Sequence, residues 1–135
     1  MNVTREQIDS LPPIAKIAFA AHCARTAWQA VVPGFWQEPS EVLGEALAYA
    51  EGSGVGEPIF ECPIVPKASS PPVAVALTEA VEWALETGIA RDEHMTDAAM
   101  RSYNKARQAT IHSYALKTYD KAKSDHLAKL TAGMP

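Results

Sequence analysis

Apolar positions along this chain recur at steps of three and four residues and hardly anywhere alternate strictly with polar ones, which is the period of helices and not of strands. The first predicted element is short. Thr4 stands as its cap, and Gln7, three residues on, can reach back to the cap's own amide, with the helix ending near Ser10. Pro12 and Pro13 then end one helix and open the next, since the N–H that proline lacks is unused at a first helical position. The second helix is predicted over 13–32, with Ile14, Ile17, Ala21, Ala24, Trp28 and Val31 on its inner stripe, and Pro33 and Gly34 stop it.

Ser40 followed by Glu41 reads as the start of a third helix, with Val42, Leu43, Ala46, Leu47 and Ala50 inward, and Gly52, Gly54 and Gly56 ending it. Residues 57–72 hold five prolines and no helical period. They predict a loop or partly extended lid that packs down through Ile59, Phe60, Ile64 and Val65. A connection of this length is unusual in a compact domain and is a functional candidate for that reason. Ser70 before Pro71 opens a fourth helix, with a stripe from Val73 through Leu77 and Val81 to Leu85, closed by Gly88. Thr96 with Asp97 reads as the cap of the last helix. Neither proline nor glycine interrupts the chain from there to Ala132, so it is one long rod or a pair broken near Gln108 to His112.

The pattern therefore predicts an all-α fold: a compact bundle of about five helices forming one domain over 1–135, with a long Pro/Gly-rich loop over about 52–72. A short extended piece between Glu57 and Pro66 is the only strand-like feature expected. The length of 135 residues suits a single core, and much of the 47% apolar content is alanine, which favours helices.

Charge changes this picture by its placement. The net charge is only −4, but residues 35–90 hold nine acidic residues against Lys67 alone, while residues 91–135 hold eight basic and five acidic ones. No concentrated basic surface suits nucleic acid, and no apolar run reaches the roughly 18–20 residues a membrane span needs. No secretory signal opens the chain, so a cytoplasmic location with both Cys23 and Cys62 as free thiols is expected.

Candidate chemistry is sparse. His22, His94, His112 and His126 show none of the zinc spacings, with no i, i+4 histidine pair and no paired-cysteine motif, so no metal site is predicted. The glycines at 52, 54 and 56 follow a helix, not a strand, and lack the lysine of a phosphate loop. No nucleophile stands in a recognisable turn, and neither a catalytic residue nor a cofactor is assigned. Glu79, Glu82 and Glu86 fall on one face of the fourth helix with Trp83 beside them. Such a face is either paired with Arg101, Lys105 and Arg107 of the last helix or is a docking surface for a basic partner. His22, Arg25 and His112 are candidates for a pocket between helices; a half-buried Arg25 would need a carboxylate or several carbonyls, and an arginine that snorkels from core to surface is the commoner outcome.

The run Leu11-Pro12-Pro13-Ile14-Ala15-Lys16-Ile17-Ala18-Phe19-Ala20-Ala21-His22-Cys23-Ala24-Arg25, with the turn at Val31 to Trp36, resembles the opening of a helical immunity-protein family of bacterial polymorphic toxin systems. The alanine-rich stretch from Ala106 to Ala115, including His112, is similar to a later helix of that family. The resemblance implies a non-enzymatic protein that binds and neutralises a toxin, with Arg25 and His112 at family-like positions. The segment from Gly52 to Pro72 departs from the pattern. Two other classes compete with this expectation: a helical small-molecule binder or enzyme with an inter-helix pocket, and a self-assembling bundle whose sign would be an uninterrupted last helix.

Overall fold

The computed structural model describes residues 3–32, 41–57, 59, 65 and 71–133. Among them are six helices and no strand: α1 (Arg5–Asp9), α2 (Pro13–Val31), α3 (Glu41–Ser53), α4 (Pro72–Ile89), α5 (Asp92–His112) and α6 (Leu116–Ala132). The Thr4 box forms as expected, with the Gln7 amide donating to Thr4 Oγ1 and the Thr4 amide to Gln7 Oε1. Prolines precede and open α2 and α4.

Helices α2, α4 and α5 pack as the centre, α3 flanks α2 and α4, α1 lies on α5, and α6 leans on α2 and α5. Alanine sets the close approach: Ala20, Ala24 and Ala27 of α2, Ala80 and Ala84 of α4, and Ala99 and Ala106 of α5 are all fully buried. At the centre of this seam, Ser102 of α5 directs its hydroxyl to Ala80 O of α4 at 2.9 Å, with Ala20 O of α2 at 3.2 Å. A buried hydroxyl needs such a partner, and here it ties three backbones together. Ile59 and Val65 pack partly buried against the core, as their apolarity requires, while Phe60 and Ile64 lie outside the described residues.

Several boundaries differ from the sequence reading. Gly88 does not close α4 but sits inside it, because a Cβ there would lie 2.7 Å from Ser53 Oγ of α3; the glycine is a packing residue. Gly52 likewise lies within α3. Thr96 and Asp97 do not cap α5, which starts a turn earlier with Asp92 and Glu93 at its N-terminus, where carboxylates suit the helix dipole. Thr96 is instead buried and donates to Asp9 Oδ1. Ile14 and Val42, expected inside, are 51% and 45% exposed.

The last helix is broken, at the end of the window expected. Tyr114 has φ +60°, the Tyr114 amide donates to Ile111 O and the Ala115 amide to Thr110 O, the paired bonds of a Schellman closure with tyrosine at the left-handed position that glycine usually takes. The break also separates the tyrosines: Tyr103 of α5 is buried, whereas Tyr114 is 91% exposed.

Candidate functional site

Two regions hold the predicted site residues. The first is the outer face of α4. Glu79 is paired with Lys105 of α5 at 2.8 Å, and the Arg101 guanidinium lies 4.8 Å above the Trp83 ring. Arg107, the third cation expected here, turns to α6 and holds Asp120 through two bonds of 3.0 and 3.2 Å. Glu82, half-buried, and Glu86, exposed, meet no cation among the described residues. Trp83 and Glu86 line a shallow cleft of about 260 Å³ between α4 and α5, together with His94 and Arg101.

The neighbouring helix α3 extends the acidic character. Glu41, Glu45 and Glu57 also lack a cation among the described residues, and Tyr49 stands 46% exposed beside Glu45 in a cleft that Glu57 also lines. Helix α3 is held firmly beneath this face. Arg25 of α2 clamps Glu51 with two bonds, 2.9 and 2.5 Å, and a Cβ on Gly54 would approach Ala18 Cα to 2.9 Å, a backbone contact that only glycine permits.

The second region is the seam between α2 and α6, and the three pocket candidates do not assemble there. Arg25 points to Glu51 with its guanidinium 5.8 Å from the Trp28 ring, and its pairing with that carboxylate raises its pKa further. His112 is exposed at the end of α5. Only His22 faces the seam, where it meets residues the sequence reading passed over. Its Nδ1 contacts Nζ of Lys123, a lysine with no exposed surface, and its ring stacks on His126 at 3.9 Å and 16°. Thr26 Oγ1 accepts from Lys123 Nζ at 2.9 Å and donates to His22 O at 2.8 Å. Phe19 stacks on His126 at 6.1 Å, and His126 Nδ1 is buried with no hydrogen-bond partner among the described residues.

Among the described residues no carboxylate pairs with these groups, and burial sets their electrostatics. Burial, reinforced by Lys123, lowers the His22 pKa to about 3 and the His126 pKa to about 4. Burial lowers Lys123 to about 8. The neighbouring Cys23, a free and buried thiol, is pushed up to about 11 by burial, and buried Tyr119, whose hydroxyl donates to Tyr103 O at 2.8 Å, is also pushed well above its ordinary value. Neither supplies a negative charge near neutrality. The signal in the sequence was Lys123 itself, standing between Tyr119 and Leu127 at four-residue steps on an otherwise apolar stripe.

The two imidazoles lie face to face, so their lone pairs do not converge, and no group of three His, Cys, Asp or Glu among the described residues is arranged to hold a metal ion. Cys62 lies outside the described residues. No helix among the described residues is long and apolar enough to cross a membrane. Comparison of the chain with protein-family models, with curated proteins and with solved structures finds no match.

Proposed function

We propose that this chain is a non-enzymatic protein-binding domain that docks a partner with a basic surface, in the manner of an immunity protein neutralising a toxin. The observation that carries this reading is the state of Glu82 and Glu86. Among the described residues the bundle supplies cations to Glu79 and to Glu51 but none to these two carboxylates, which lie one turn apart beside Trp83. Like charges at that spacing cost a few tenths of a kcal/mol, roughly, in an isolated helix, so a cationic partner gains what the fold forgoes. Trp83, already held under a guanidinium, offers the ring on which interface anchors are commonly built. The competing classes draw less support. His22, Arg25 and His112 face three different places, and the turn at Ser113–Ala115 interrupts the rod that a self-assembling bundle would project.

The test is kinetic. A partner captured from the source cell by cross-linking is identified and its binding measured against salt concentration. Charge reversal of Glu82 and Glu86 should slow association and flatten the salt dependence, and Trp83→Ala should chiefly speed dissociation. Unchanged kinetics in all three variants would reject the surface as the contact.

A further inference from the structure

We infer that α6 is a proton-released latch: it closes on α2 over the nitrogens of Lys123, His22 and His126 only while the two imidazoles are neutral, which makes it the first helix to open as the solution acidifies. The footprint of α6 on the bundle is small. It buries three residues, Tyr119, Lys123 and Leu127, where α5, only four residues longer, buries nine. At the middle of that footprint Lys123 and His126 meet His22 of α2, with the neutral Thr26 hydroxyl as a further acceptor.

Geometry makes the cluster intolerant of an added proton. His22 Nδ1 is the acceptor for Lys123 Nζ, so protonating it removes that bond and sets an imidazolium against an ammonium. Protonating His126 Nδ1 creates a buried donor with nothing to receive it, on a ring stacked 3.9 Å from the other. The titratable and charged groups around the pair are Lys123 and Lys129 of α6, Cys23 of α2, and Tyr119 with Tyr103 beyond it. None of these is an anion at or below neutrality; of the two carboxylates of α6, Asp120 is committed to Arg107 and Asp125, beside His126 in sequence, is exposed.

The direction of the effect follows from linkage. Both histidines are neutral in the closed seam, with pKa values of about 3 and about 4 against the ordinary 6.5. The closed state is therefore favoured in full above pH 6.5 and loses that advantage as pH falls from 6.5 through the folded values. Each histidine regains its ordinary pKa when α6 lifts, so each raises the opening equilibrium by up to about tenfold per pH unit in this window. Elsewhere, Arg5 holds the Asp97 carboxyl below the ordinary carboxylate range, so that pair weakens only at lower pH.

Hydrogen exchange read by mass spectrometry at about pH 7, 6 and 5, corrected for the intrinsic rate, tests this on the whole chain. The opening constant of residues 116–132 should rise by at least about tenfold per unit while α4 and α5 keep theirs. Retained protection of α6 at the lowest pH, or parallel loss from all helices, would overturn the inference. His126→Phe keeps the stack and removes one proton site, and His22→Gln keeps an acceptor and removes the other; each should reduce the slope by about half. An unchanged slope in both variants means that the histidines are not the sensor.

Discussion

Among the described residues, charge without an opposite partner gathers in two places, and they are opposites. On α3 and α4 the excess is acidic and spread over exposed Glu41, Glu45 and Glu86 and half-buried Glu82, where water and salt make it of little cost to the fold. In the α2–α6 seam the excess is basic and centred on the fully buried Lys123 between two half-buried imidazoles, where each added charge is paid for in folding energy. The first kind of charge is available to another macromolecule, the second only to protons. A surface that keeps carboxylates without cations while cations stand nearby on α5 is suited to meeting a partner. A seam that excludes carboxylates is suited to sensing acid.

The largest effect expected from breaking this contrast lies in the seam. Lys123→Ala leaves a cavity and should lower stability by about 2–4 kcal/mol in urea denaturation at neutral pH. Lys123→Met fills the same space without a buried charge and should cost less than about 1 kcal/mol or raise stability, because no carboxylate is left unpaired by the change. Equal losses in both would mean that the ammonium itself holds α6 down. Next in size, Tyr119→Phe removes the bond to Tyr103 O and should cost about 1 kcal/mol, measured the same way. At the joint between α5 and α6, Tyr114→Gly relieves the left-handed backbone and should raise stability by up to about 1 kcal/mol. A fall there would show the Tyr114 side chain to be stabilising.

Much of the fold was legible in the sequence because its signals are local. The Thr4–Gln7 box and the prolines at 12, 13, 71 and 72 fixed helix starts without reference to anything distant. What failed depended on neighbours far along the chain. Gly88 reads as a stop signal until Ser53 of α3 is seen against it, and Thr96 reads as a cap until Asp9 is found beside it. For Arg25 the sequence left a carboxylate, several carbonyls or a snorkelling side chain as alternatives, and nothing local singles out Glu51. Lys123 was missed because a lysine in an alternating charged run such as Asp120-Lys121-Ala122-Lys123 looks solvated. Only its place between Tyr119 and Leu127 marks it as buried.

The central claim, that the acidic charge on α4 is held for a partner and not for the scaffold, is tested most directly by thermal unfolding of two variants side by side. Glu79→Lys breaks the bond to Lys105 and places two ammonium groups together, so its melting temperature should fall by roughly 2–4 °C, as a loss of about 1 kcal/mol gives in a domain of this size. Glu82→Lys with Glu86→Lys breaks no ion pair of the described residues and relieves the repulsion with Glu79. Its melting temperature should stay within about 1 °C of the parent or rise slightly. A fall in the double variant as large as that of Glu79→Lys would contradict the claim and return the whole acidic face to the scaffold.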